Sequence, residues 1–299
     1  AQPMNAFTLR QSLLLFLTAL IWGCSFVAQA VGMDHVGPFT FTACRTLLGA
    51  LFLTPFVLYR RKRESAPASL GKTFLLGAFF CGLCLFAGES FQQFGLVHDT
   101  EVGKAGFITS LYIVIVPLLG LFVGHCVHRY IVVGVLFAVA GLWELCMTGS
   151  LTVELGDLYV LTCALAFSIH ILVIAHFVTK IDGVTLAWGQ FWCGGLIALV
   201  MALVFETPTW EGIHGALLPI LWAGIMSNGI AYTLQVVGQR GMNPTVASLI
   251  LSLESVVSVL AGWVLLNEVL STRELFGCAL MAVAIVLAQL PAPKNRSKA

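Results

Sequence analysis

Apolar residues fall in long unbroken runs along this chain, separated by short polar connections. Runs of about 20 residues, the length that crosses a bilayer as a helix, lie near 12–31, 38–59, 73–96, 105–125, 131–150, 156–178, 184–205, 213–237, 244–266 and 272–290. Only Arg60–Lys72 forms a longer polar loop. None of the runs alternates apolar and polar residues with the period of two that a membrane β-barrel requires. The pattern predicts an all-α integral membrane protein with ten transmembrane helices.

Composition sharpens this. Of 299 residues, 59% are hydrophobic and 10% charged, against about 25% charged in a soluble domain. Such a chain cannot coat a water-facing surface, so its main partner is the lipid bilayer. A net charge of +1 gives no basis for a nucleic-acid partner. There is no Walker A motif and no soluble domain to hold one, so ATP-driven transport by this chain alone is excluded, and no cofactor is expected. The cysteines lie mostly inside apolar runs, where they act as small hydrophobes; Cys81 and Cys84 have redox-motif spacing, but within a span. No cleavable signal peptide leading into a soluble domain is expected.

Lys and Arg set the orientation. With the N-terminus inside, the inner segments hold Arg10, Arg60, Arg61, Lys62, Arg63, Lys72, Arg129, Lys180, Arg240, Lys294, Arg296 and Lys298, and the outer ones hold Lys104 and Arg273. The outer segments are acidic instead. The expectation is a multi-pass protein of the cell's inner (plasma) membrane with both termini cytoplasmic.

One stretch, Asn243–Glu268, has an echo 142 residues earlier. At that offset Gln93 pairs with Gln235, Ala105 with Ala247, Ile108 with Ile250, and Ser110-Leu111 with Ser252-Leu253. Val114, Leu118 and Gly120 meet Val256, Leu260 and Gly262. This reads as an internal duplication, residues 1–151 and 152–299, with five spans in each copy. An odd number of spans turns the second copy upside down relative to the first. Inverted repeats around a site at the midplane are a common architecture of secondary transporters.

The chain resembles the EamA-like proteins of the drug/metabolite transporter superfamily. The resemblance rests on Ile21-Trp22-Gly23, Arg45, Gly103–Thr109 through Pro117, Gly156-Asp157, His170, and Leu251–Glu254 through Asn267-Glu268, in this order and spacing. It implies a ten-helix carrier of small metabolites with a central cavity between its halves. Where many relatives close the fourth span with a Glu like Glu268, this chain has Cys126.

An ionisable group at mid-membrane costs about 2.5–3.5 kcal/mol even on the lenient insertion scale, so it must be paired, hydrated or neutralised. Glu254 lies about ten residues into its run, roughly 15 Å deep at 1.5 Å per residue. It is either a cavity carboxylate that binds a cationic group or exchanges a proton, or a protonated side chain bonded to a neighbouring helix. Glu89 shares a helix face with Gln93. It is either a ligand or proton site, or the partner of Arg45 or Lys104. Arg45 reads as a structural lock between helices. Lys104 either recognises a substrate carboxylate or snorkels to water. His170 is a proton relay or a hydrogen-bonded neutral core residue.

Trp22, Tyr112 and Tyr232 are aromatic candidates for stacking on a substrate, and Asn228 is a polar one. Tyr112 occupies the position equivalent to Glu254 (112 + 142 = 254). Gly120, with Gly124 four residues on, and Gly262 read as close-packing positions. His125 and His128 lack a fourth convergent ligand, and no metal is expected.

The reading is a secondary transporter, not an enzyme. It would export (efflux) small polar or amphipathic metabolites such as amino acids by alternating access, as a monomer or homodimer. Energy would come from the substrate gradient or from protons through Glu89 and Glu254. A passive channel is the alternative. A membrane-embedded enzyme on lipid-linked substrates ranks below it, since no nucleophile–base set is clustered.

Overall fold

In a computed structural model of the chain, the structure describes residues 6–63, 71–98, 100, 102–124, 129–146, 154–257, 260 and 271–288. All elements among these are helical: α1 Ala6–Gly32, α2 Pro38–Arg63, α3 Lys72–Val97, α4 Val102–Ser110, α5 Tyr112–Phe122, α6 Arg129–Cys146, α7 Leu155–Phe177 and α8 Gly183–Phe205. Then come α9 Trp210–Gly215, α10 Leu217–Leu221, a π-helix over Trp222–Tyr232, α11 Thr233–Gln239, α12 Pro244–Leu251 and α13 Thr272–Ala288.

Seven helical segments among the described residues are long and apolar enough to cross a membrane, and a shorter apolar one runs from Pro244 to Val257. The predicted runs at 131–150 and 272–290 correspond to α6 and α13, which pack on each other. Arg273 ties the pair at one end, donating to Glu144 at 2.8 Å. Gly262, Asn267 and Glu268 lie outside the described residues, as do His125, Cys126 and His128.

Short polar side chains end and start these helices. Asn243 caps α12, accepting from the Thr245 N–H at 2.9 Å, with Pro244 in the first turn where no amide is missed. Glu206, just past the end of α8, reaches across to the start of α2. It accepts from the amides of Phe39 and Thr40, both at 2.8 Å, and from the Thr40 hydroxyl at 2.6 Å. A carboxylate there satisfies donors that a helix start leaves unpaired and suits the positive end of its dipole.

The bundle packs through backbone contact where side chains vanish. α3 lies against α7 and α8, and α2 against α8. At the crossing of α3 and α8, a Cβ on Gly194 would stand 2.8 Å from the Gly82 carbonyl oxygen. Because the obstacle is backbone, Gly194→Ala is expected to cost about 1–3 kcal/mol, read as a lower thermal unfolding midpoint in detergent. The second glycine of the expected Gly120/Gly124 pair makes no such contact. Gly124 lies past the end of α5 with φ +84°, and no described atom lies within 4 Å of a Cβ placed there.

Two interruptions concern the middle of the bundle. The run at 105–125 is not one straight helix: it breaks at Leu111 between α4 and α5. The run at 244–266 breaks at Ser252 and resumes to Val257. Tighter i→i−3 bonds mark both places, Val114 N–H to Leu111 O at 2.9 Å and Ser255 N–H to Ser252 O at 3.2 Å. The duplication is visible here as geometry, since Ser110-Leu111 and Ser252-Leu253 are the matched pairs of the repeat. The run at 213–237 carries the π-helix, a rare wide turn often found at functional sites.

Candidate functional site

The two helix breaks touch. Ser110 Oγ and Ser255 Oγ are 3.0 Å apart, and beside them the Tyr112 hydroxyl donates to Glu254 Oε1 at 3.1 Å. Both partners of the second bond are buried, Tyr112 at 3% exposure and Glu254 at 4%. The repeat-equivalent positions are therefore a hydrogen-bonded pair. Gly23 lets α1 lie against the backbone at Glu254: a Cβ there would stand 2.7 Å from the Glu254 carbonyl oxygen. Interrupted helices that meet at the middle of a membrane bundle are the usual frame of a carrier's site, because freed backbone is tolerated only where it lines a cavity.

Around this pair lies a cavity. Its walls come from Trp22 and Gln29 of α1, Arg45 of α2, Gln92 of α3, Tyr112, Phe167 of α7, Tyr232, Gln235 of α11 and Glu254. One side is aromatic: the Trp22 and Tyr232 rings are 4.6 Å apart, and Phe167 lies 6.4 Å from Tyr232. Two polar atoms on the walls, Trp22 Nε1 and Gln235 Oε1, have no hydrogen-bond partner among the described residues. The space is narrow. The free volume is about 30 Å³, and one water needs roughly 10–15 Å³, so there is room for about two waters.

A second polar cluster flanks the first. Arg45, 2% exposed, donates Nε to Asn228 Oδ1 at 2.8 Å, Nη1 to Gln29 Oε1 at 2.9 Å and Nη2 to Ser227 Oγ at 2.8 Å. Its Nη2 also stands 3.5 Å from Glu89 Oε1. Glu89, fully buried, accepts from the Thr46 hydroxyl at 2.7 Å and from Asn228 Nδ2 at 2.9 Å. Asn228, carried by the π-helix, thus joins the cation to the anion. Four segments, α1, α2, α3 and the π-helix, meet in this cluster.

The sequence-derived candidates separate accordingly. Glu254, Tyr112, Trp22 and Tyr232 line the cavity together, and Arg45, expected only to lock helices, lines it as well. Glu89 and Asn228 stand behind Arg45 rather than on the wall. Glu89 stands beside Arg45, one of the two partners open to it. His170 accepts or donates at Nε2 to Gln190 Oε1 at 2.8 Å, and its ring lies 6.2 Å from Tyr232, so it backs the aromatic wall. Gln93 is fully buried, with neither amide atom partnered among the described residues. Lys104 lies in the first turn of α4, and its side chain is outside the described set. Gly120 is buried in α5. Among the described residues no three His, Cys, Asp or Glu side chains converge as a metal site.

Gln29 and Phe167 were not singled out by sequence. Gln29 had a signal: it lies seven residues after Trp22, on the same face of α1. Phe167, in a chain with 21 phenylalanines, had none.

The comparisons with known proteins agree with this geometry. A family model described as the EamA-like transporter family matches residues 9–146 and again residues 154–290. The chain belongs to the EamA-like transporter family. A relative from Archaeoglobus fulgidus named "Uncharacterized transporter" is 32% identical over 277 residues, covering 92% of this chain and 84% of that protein. "Uncharacterized transporter YoaV" of Bacillus subtilis is 23% identical over 279 residues, covering 90% and 92%. The "WAT1-related protein At3g02690, chloroplastic" of Arabidopsis thaliana is 25% identical over 288 residues, covering 90% and 67%. A solved crystal structure superposes with a TM-score of 0.78 at 21% identity, covering 96% of this chain and 99% of that one, and so shares the fold. This EamA-like protein is a multi-pass membrane transporter rather than an enzyme. Its twice-matched domain is the duplication read from the Ser-Leu pairs.

Proposed function

We propose that this transporter is a secondary carrier that exports small amino-bearing metabolites, amino acids foremost, by alternating access. Two mirror-image five-helix halves, residues 1–151 and 152–299, would rock about the cavity, ten helices in all, with both termini on the cytoplasmic side of the inner membrane. The reading rests on the hydrogen-bonded Tyr112–Glu254 pair at the junction of the two broken helices. A carboxylate beside Trp22, Tyr232 and Phe167 suits an ammonium group: the charge pairs with Glu254 while the aromatic faces attract the cation. The carboxylate of an amino acid would fall to Arg45, on the same wall, or to Lys104 in the first turn of α4. Trp22 Nε1 and Gln235 Oε1 supply one unspent donor and one unspent acceptor.

In this reading proton coupling would run through Glu254 and Glu89. A proton on Glu254 competes with a substrate amine for one site. A proton on Glu89 removes the charge that holds Arg45, which loosens α2 from α3. His170, Gln93 and Asn228 would serve as polar neighbours of these two steps.

Counterflow in proteoliposomes tests the reading. Vesicles loaded with an unlabelled amino acid are expected to accumulate the labelled one transiently, with saturable rates. An imposed pH gradient should change the direction and extent of net flux. Linear, unsaturable entry without overshoot would make the protein a pore, and no flux of any amino acid or amine would remove Glu254 as a substrate carboxylate.

A further inference from the structure

Away from the central cavity, an apolar groove of about 410 Å³ runs between α3 and α8 on the outside of the bundle. Phe74, Leu75 and Phe79 form one bank, and Trp188, Trp192 and Leu196 the other. Its walls are almost wholly apolar, and the Trp188 indole N–H is already given to Thr54 Oγ1 at 2.9 Å. From Trp188 to Leu196 the groove follows α8 for about 12 Å at 1.5 Å per residue. That is within one leaflet, about 15 Å or half of the ~30 Å hydrocarbon core. An acyl chain lying along the helices has this depth and this chemistry.

One end of the groove is basic. Lys72 opens α3 and is exposed, and it shares a helix face with Leu75 and Phe79, three and seven residues on. The basic end of α2, Arg60-Arg61-Lys62-Arg63, is brought to the start of α8 by the ion pair of Arg60 with Asp182, at 3.3 Å. Asp182 also accepts from the Thr185 amide and hydroxyl, both at 3.1 Å, so this acid is already engaged. Lys62 and Arg63 are exposed beside it. An apolar slot of one-leaflet length thus ends beside exposed cations, Lys62, Arg63 and Lys72, at the ends of two helices long enough to cross a membrane.

The geometry points to a binding site for an anionic glycerophospholipid, one acyl chain in the α3–α8 groove and its headgroup phosphate at Lys72 and the end of α2. A zwitterionic lipid offers the same chain but cancels its phosphate with its own amine, so the site discriminates by headgroup charge. A juxtamembrane Lys or Arg contributes about fivefold to the affinity for an anionic lipid.

Tryptophan quenching tests this in vesicles of the full-length protein. Dibrominated phosphatidylglycerol is titrated into unlabelled phosphatidylcholine, and dibrominated phosphatidylcholine serves as the reference. The groove's contribution is the part of the emission lost in Trp192→Phe. The anionic lipid is expected to quench that part with a several-fold higher relative association constant. Lys72→Gln should lower the constant about fivefold, while Lys72→Arg keeps it. Arg129→Gln, at the start of α6, a helix that packs on α13 and α4, should leave it unchanged. Superposed curves for the two lipids would overturn the proposal. So would an undiminished preference in Lys72→Gln, or an equal loss in Arg129→Gln, which would assign the effect to surface charge at large.

Discussion

Arg45→Met is expected to destabilise the protein by about 3–5 kcal/mol, the range found when one partner of a buried ion pair is removed. The effect is large because of what stays behind. Glu89 is fully buried, and its charge would face only Thr46 and Asn228. Gln29 and Ser227 would each lose a donor from the guanidinium. The measurement is the midpoint of denaturant unfolding in detergent micelles. A double variant separates charge from packing: Arg45→Met with Glu89→Met should regain most of the loss, since an apolar pair of similar volume often matches a buried ion pair. The wild-type midpoint should respond weakly to salt, because buried charges are little screened. A single variant as stable as the wild type would mean that Arg45 is held by the cavity and not by Glu89.

The second large effect is on transport. Glu254→Gln should reduce amino-acid counterflow about 100-fold, and Tyr112→Phe about tenfold. The sizes follow from losing a hydrogen bond to a charged group, about 1.5–3 kcal/mol, where each 1.4 kcal/mol is a factor of ten. The variants differ in kind. Glu254→Gln keeps the shape and removes the charge that an ammonium group or a proton needs. Tyr112→Phe keeps the charge and removes the donor that holds it at 3.1 Å. Unfolding midpoints near the wild-type value would confirm that flux, not folding, is being read. Glu254→Gln within twofold of the wild type would overturn the assignment.

Much of this architecture was open to sequence reasoning because a bilayer permits few solutions. Apolar runs of helix length have no alternative reading in lipid, and seven of them appear as membrane-length helices close to their predicted bounds. The Tyr112–Glu254 pairing was legible only through the repeat, as one position matched at an offset of 142. That the two side chains bond to each other is a fact of packing. The breaks at Leu111 and Ser252 were hidden because Ser and Leu are compatible with a straight helix; neither Gly nor Pro marks the spot. The π-helix was hidden for the same reason, since a wide turn carries no composition of its own. Arg45 shows the limit most clearly. Its cost in the membrane was evident, but not that one guanidinium would serve as a lock on one side and a wall of the cavity on the other.

The contact between Tyr112 and Glu254 has a consequence for why both copies reside in a single polypeptide. Were two identical chains to assemble this way, the facing positions would have to carry the same residue. Two glutamates about 3 Å apart would repel, as like carboxylates sharing a site do, and two tyrosines would bring no charge. Joining the copies frees each position to vary alone, so that a hydrogen-bond donor can face an acceptor, and the contact between the two copies acquires a direction.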